Sequence, residues 1–321
     1  MTTADRFPPD PTAAPAAPST QTLAAVVQAW AVRQPDAPAV ARPGVGRLSY
    51  EAFARYLVSG VAWLRVHGVQ ADAVLAVVTA DATHLGCAVA ALSQGAVCLP
   101  MNPAWTEREC GAALAAAGVA TLVAAPDALP ARRAAERAGI PTLELPWPAA
   151  DLPEWPVDST HPLTLPPPSS PMLALFTSGT TAVPKVVTLT HAQVMTAASA
   201  IAAVLELTPS DRTLSVMPLF HIHGLSALFA TWCTGGTAVM PRAFDDARVV
   251  GTMRDEAITW LTAAPTLHRA LLETARRSSA APPVPSLRFL RSASSAMPAM
   301  LADALEATFG VPLIEAYGLT E

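Results

Sequence analysis

The sequence predicts an α/β protein: two βα lobes whose parallel-rich sheets are covered by helices. Three observations predict it. Apolar runs of strand length recur along the chain, amphipathic stretches with capping residues alternate with them, and the alternation pauses once, at a proline-rich segment, before resuming. The chain of 321 residues is 52% hydrophobic and 14% charged, so it can bury a large core and does not read as disordered. The organisation expected is a flexible tail at 1–21, a first α/β lobe at 22–145, an irregular connection at 146–171 and a second α/β lobe at 172–321.

In the first lobe, Thr22 suits an N-cap, and Leu23, Val26, Val27 and Trp30 fall on one helical face after it. Ser49 opens a second helix with Phe53, Leu57, Val61 and Leu64 in register and a stop at Gly68. The run AVLAVVTA (73–80) reads as a fully buried strand, followed by a helix through Leu92 and the short strand AVCLP. Thr106 and Glu109 have capping-box spacing for a helix ending at Gly118. VATLVAAP and IPTLELP supply two more strands around an arginine-rich helix. Beyond the connection, the strands are MLALFT, TLSVM, TAVMP, ITWLTA, LRFLRSA and VPLIEAY. Helices are expected from His191, after Gly224, and from Asp245, Pro265 and Pro298.

Composition excludes several functions. A net charge of −5 gives no basic field for nucleic acid. Cys87, Cys98, Cys110 and Cys233 lack metal or disulfide spacing and read as reduced core thiols of a cytoplasmic protein. The Pro/Ala/Thr-rich start has no basic-then-apolar pattern, so it is not a signal peptide. Thr213–Pro241 lacks Asp, Glu, Lys and Arg, but its two histidines, Pro218 and Gly224, Gly235 and Gly236 favour a buried strand–helix–strand over a membrane span.

LFTSGTTAVPKVVTLTH (175–191) holds Lys185, the chain's single lysine among 20 basic residues. A turn after a strand presents backbone N–H groups and the hydroxyls of Ser178, Thr180 and Thr181 to an anion, and Lys185 adds a point charge. The plainer reading is a Ser/Thr-rich hairpin; the density of hydroxyls around the lone lysine favours a phosphate site. The spacing is not that of a P-loop, because no glycine precedes Lys185 and Val186 follows it, so a P-loop phosphotransferase is a poor second. His221 and His223 form an H-x-H pair that would share one face of a strand. A metal site there lacks a third ligand at useful spacing.

TSGTT-x-x-PK resembles the phosphate loop of the adenylate-forming enzymes: acyl-CoA synthetases, luciferases and peptide-synthetase adenylation domains. MPLFHIHGL (217–225), RFLRSASSAMP (288–298) and EAYGLTE (315–321) resemble three further motifs of that family, in its order. The likeness runs from about residue 22 to the end and is nearest to oxalyl-CoA synthetases, with malonyl-CoA and related acid–CoA ligases next. It implies the two-lobed large N-terminal domain of those enzymes, with ATP, Mg²⁺, CoA and a small carboxylic acid as partners. By the same resemblance Thr177, Ser178, Gly179, Thr180, Thr181 and Lys185 hold the β- and γ-phosphates, and Thr320 meets the α-phosphate. Glu321 binds Mg²⁺, for which a hard oxygen ligand is suited. Tyr317 stacks on adenine, with Ser295 and Ala296 beside it; His221, His223 and Ser294 line the acyl pocket, and His221, counted with Thr320 and Glu321 as catalytic, turns to admit or exclude the thiol acceptor. His223 also reads as a core histidine, and Ser294 and Ser295 as N-caps of the helix that follows.

Two departures stand out. Ala182 and Val186 replace loop glycines, and a non-glycine residue forced to positive φ costs roughly 1–2 kcal/mol. The chain also stops at Glu321, before the family's ribose-binding aspartate, hinge, catalytic lysine and small C-terminal domain. The expectation is therefore a truncated acid–CoA ligase of impaired activity, with oxalate or another short acid as substrate. The alternatives are a non-catalytic nucleotide- or acyl-binding module, or a half-enzyme complemented by a separate C-terminal domain.

Overall fold

The computed structural model describes residues 20–146, 155–156, 165–177, 185–277 and 284–320. The expected tail up to residue 19, most of the proline-rich connection, Ser178, Gly179, Thr180, Thr181, Ala182 and Glu321 lie outside the described residues.

Helix α1 (Leu23–Arg33) starts where Thr22 accepts the Ala25 N–H. Strands β1 (Pro38–Arg42) and β2 (Gly46–Ser49) form a hairpin, and Ser49 then caps α2 (Tyr50–Val66) by accepting the Ala52 N–H. The next elements are β3 (Val74–Val78), α3 (Ala82–Leu92), β4 (Val97–Pro100), α4 (Glu107–Ala116), β5 (Thr121–Ala124), α5 (Leu129–Arg137) and β6 (Thr142–Glu144). The capping box at Thr106 and Glu109 closes in both directions. After the connection come β7 (Pro171–Thr177), β8 (Lys185–Thr190), α6 (His191–Val204), β9 (Arg212–Leu214), α7 (Ile222–Cys233) and β10 (Thr237–Val239). They are followed by α8 (Val249–Asp255), β11 (Trp260–Ala263), α9 (Pro265–Arg277), β12 (Phe289–Ser292), α10 (Ala299–Phe309) and β13 (Leu313–Glu315).

Strands β1, β2 and β8 are absent from the sequence reading. β1 is short, opens on proline and pairs with β10, far along the chain, so no local pattern marks it. β8 follows the hydroxyl-rich loop and reads as its continuation. Helix α7 begins at Ile222, ahead of Gly224, and α8 begins at Val249, later than Asp245.

The strands form two sheets, one ordered β6-β5-β3-β4-β7-β8 and the other β13-β12-β11-β9-β10-β1-β2. Pairing is parallel except in the hairpins β1–β2 and β7–β8. The β1–β2 hairpin, from within residues 22–145, joins the sheet built by the later strands, whereas β7–β8 joins the sheet of the earlier ones. Alternation along the strands assigns the faces. Leu75 and Val77 of β3 pack with α1, α2, α3, α6 and α7, which lie between the sheets, while Ala76 and Val78 pack with α4 and α5. In the other sheet Ala238 faces the same central helices, and Val239, Leu261 and Leu290 face α8, α9 and α10. The result is a helix–sheet–helix–sheet–helix stack.

The two sheets meet at their carboxyl ends. Arg42, the last residue of β1, donates to Asp81, the N-cap of α3, at 2.8 Å, with both side chains buried. Just beyond β10, the Met240 carbonyl accepts from the Thr83 hydroxyl at 2.7 Å and the Arg242 carbonyl from the Ala82 N–H at 2.9 Å. This seam places the carboxyl ends of β1, β10 and β3 together, where open α/β sheets bind ligands.

Candidate active site at the strand carboxyl ends

Thr177 ends β7 and pairs across the hairpin with Lys185, the first residue of β8, so the hydroxyl–glycine loop is carried on an antiparallel hairpin at a sheet edge. Lys185 is exposed. Val186 pairs with Phe176 as an ordinary strand residue. It is not among the residues of positive φ, so the strain foreseen for it does not arise.

His221 and His223 do not share the face of a strand. His221 is the N-cap of α7 and His223 lies one residue inside the helix, and a helical start sends neighbouring side chains to different sides. His221 is exposed, sits against Phe220 with ring centroids 4.6 Å apart, and has its pKa lowered by desolvation. His223 is buried, and its pKa is lowered to about 4, by burial first and then by Arg291, His268 and His221. At neutral pH it is therefore an uncharged imidazole with one N–H donor and one acceptor nitrogen. Among the described residues no group of His, Cys, Asp or Glu side chains could hold a metal ion.

Both ring nitrogens of His223 are engaged. Nε2 lies 2.6 Å from the Thr262 hydroxyl and Nδ1 2.8 Å from the Ser294 hydroxyl. Thr262, buried on β11, accepts from the Arg291 guanidinium at 3.0 Å. Thr262 and Arg291 are paired neighbours on β11 and β12, which is why their side chains meet. Two proton arrangements satisfy the chain: with Arg291 donating to Thr262, either Thr262 donates to Nε2 and Nδ1–H to Ser294, or Nε2–H donates to Thr262 and the Ser294 hydroxyl donates to Nδ1. In the first arrangement the Ser294 hydroxyl keeps its own proton for an incoming oxygen.

Ser294 holds a φ of 79° in the left-handed region, where a residue with a Cβ pays roughly 1–2 kcal/mol. It is not a helix cap: Pro298 is the N-cap of α10, and no side-chain capping bond is made there. Ser294, Ser295 and Ala296 are exposed on the loop after β12. The Ala316 N–H bonds the Ser292 carbonyl at 2.8 Å, which sets Tyr317, 92% exposed, at the carboxyl end of the neighbouring strand β13. Thr320 is half-buried beyond it.

Thr262 and His268 lie outside the sequence motifs, and Arg291 lies inside RFLRSASSAMP without a role assigned to it there. Thr262 and Arg291 are polar interruptions of the apolar strands WLTA and FLRS, a faint sign of a function at a strand's carboxyl end. His268 in α9 is fully buried and lies 2.9 Å through Nε2 from the Arg291 carbonyl; its Nδ1 has no partner among the described residues.

The AMP-binding enzyme family matches residues 27–321. An oxalate–CoA ligase of Arabidopsis thaliana is 40% identical over 157 residues, covering 48% of this chain and 30% of that protein. A sulfoacetate–CoA ligase of Cupriavidus necator is 36% identical over 195 residues, covering 59% of this chain and 38% of that protein. The matched stretches thus span well under half of either relative. The crystal structure of VinN superposes with a TM-score of 0.81 at 22% identity over 95% of this chain and 76% of that one, a likeness of fold. With the family matched over nearly all of its length, the chain belongs to the AMP-binding enzymes.

Proposed function

We propose that this chain carries the nucleotide and acid sites of an ATP-dependent carboxylate–CoA ligase. In the first step a carboxylate oxygen attacks the α-phosphorus of ATP, the bond to the β-phosphate bridging oxygen breaks, and pyrophosphate leaves. In the second, the CoA thiol attacks the acyl carbon, AMP departs, and the thiol proton passes to solvent. The family match over residues 27–321 carries the reading. The relatives named for CoA ligation support the second step, and two of them make oxalate or another short acid the favoured substrate.

The reactants are anionic, so the protein's task is to position them and offset charge. Thr177, Ser178, Gly179, Thr180, Thr181 and Lys185 would hold the β- and γ-phosphates, and Thr320 the α-phosphate. Tyr317, Ser295 and Ala296 would border adenine. His223 would act through Ser294 by orienting its hydroxyl toward the acid's carboxylate, while exposed His221 would border the thiol's approach. Mg²⁺ needs few protein ligands when phosphate oxygens complete its shell, so one carboxylate, Glu321, fits the ion's chemistry. When bound, it would offset phosphate charge.

Lys185→Ala tests the reading. A lost charge-assisted contact to phosphate should weaken MgATP binding by about tenfold or more. Unchanged affinity would remove Lys185 from the site.

A further inference from the structure

Among the described residues Arg291 is a cation without an anion. The other half-buried or buried arginines among the described residues have an acid: Arg42 pairs with Asp81, Arg132 with Glu144 and Arg212 with Glu256. Arg291 forms no ion pair among the described residues, and its one side-chain bond goes to the neutral hydroxyl of Thr262. It is only half-exposed at most, and burial lowers its pKa, a sign that the charge is poorly solvated where it stands. A guanidinium has five N–H donors in a planar fork, and one is used here.

Among the described residues the neighbouring histidines add no charge. His223 and His268 are both buried, with pKa values lowered by that burial, so they are neutral near pH 7. The amino end of α7, with its partial positive charge and no side-chain cap at His221, opens on the same network. Such a desolvated charge is costly unless an anion completes it. The position also bears on chemistry: Arg291 and the outward hydroxyl of Ser294 stand on either side of one imidazole ring, linked through Thr262 and His223.

We infer that Arg291 anchors a second anionic group on the acid substrate, making the site selective for short acids with two anionic groups, dicarboxylates or sulfonated carboxylates, over monocarboxylates. This rests on the ligase reading and adds the residue that sets substrate class. One anionic group would meet the guanidinium fork while the reacting carboxylate, still ionised, hydrogen-bonds the Ser294 hydroxyl.

The test is calorimetric titration of the 321-residue chain, saturated with Mg²⁺ and a non-hydrolysable ATP analogue, using oxalate, malonate, sulfoacetate, acetate and propionate. The wild type should bind at least one dianionic acid about tenfold more tightly than the monocarboxylate of like length. Arg291→Met should abolish that preference with affinity for the ATP analogue unchanged, and Arg291→Lys should restore part of it. Equal affinity for both acid classes in the wild type overturns the assignment, as does an Arg291→Met that weakens both equally. Binding of the analogue without any acid also overturns it, yet leaves the nucleotide site standing. Failure to bind the analogue would sink the ligase reading itself.

Discussion

Asp211→Asn should destabilise the fold by about 3 kcal/mol at pH 7. The Asp211 carboxylate, 1% exposed, accepts from the Thr208 N–H at 2.8 Å, the Thr208 hydroxyl at 3.1 Å, the Thr259 hydroxyl at 2.6 Å and the Arg288 guanidinium at 2.6 Å. These donors stand just ahead of β9, β11 and β12, so the carboxylate fixes the amino ends of three neighbouring strands. Asparagine keeps one acceptor oxygen and turns an NH₂ toward whichever donors the other oxygen served. Each lost bond to a charged group is worth roughly 1.5–3 kcal/mol, and the terms do not add fully. Arg288 is partly exposed, which discounts its share. Burial pushes the Asp211 pKa up, but hydrogen bonds from Thr259, Arg288 and Thr208 outweigh it and leave the group below the ordinary carboxylate value. A depressed carboxyl stabilises above its unfolded pKa, about 4, and loses that contribution as pH falls through the folded value. Urea unfolding should therefore show a gap between wild type and variant at pH 7 that narrows below about pH 4. A variant within about 1 kcal/mol of wild type at pH 7, or a gap indifferent to pH, would refute the account.

Two other substitutions probe the site's frame. At Gly224, in the first turn of α7, an added Cβ would lie 2.8 Å from the Pro218 carbonyl oxygen and 3.0 Å from that of Met217. Gly224→Ala should thus lower stability by about 1–2 kcal/mol in thermal unfolding, despite alanine's better helix propensity of about 1 kcal/mol. Ser294→Gly relieves roughly 1–2 kcal/mol of left-handed strain and gives up a hydrogen bond of about 1 kcal/mol. Its unfolding free energy should stay within about 1 kcal/mol of wild type while acid affinity falls; a larger loss of stability would mean that Ser294 is chiefly a structural strut.

Local chemistry made much of this fold readable. Thr22, Ser49 and Thr106 cap helices because each hydroxyl precedes an amphipathic run, and the strand at 74–78 follows from its unbroken apolar stretch. What was hidden depends on pairing across distance. β1 becomes a strand because β10 accepts it, and the helical start at Ile222 turns an H-x-H motif into one exposed and one buried histidine. Thr262 and Arg291 gain meaning only because β11 and β12 are neighbours in register, which neither strand's residues state alone. The motif residues Thr177, Lys185, Ser294 and Tyr317 were visible as a pattern. The hydrogen-bond relay joining Ser294 to Arg291 was not.

The most direct test of the central claim is acid-dependent exchange of labelled pyrophosphate into ATP by the 321-residue chain. The account predicts exchange with a short acid, none without acid, and a strong reduction in Lys185→Ala. A chain that binds ATP yet shows no pyrophosphate exchange with any of the acids would contradict it, and would mark the protein as a nucleotide-binding module that does not adenylate.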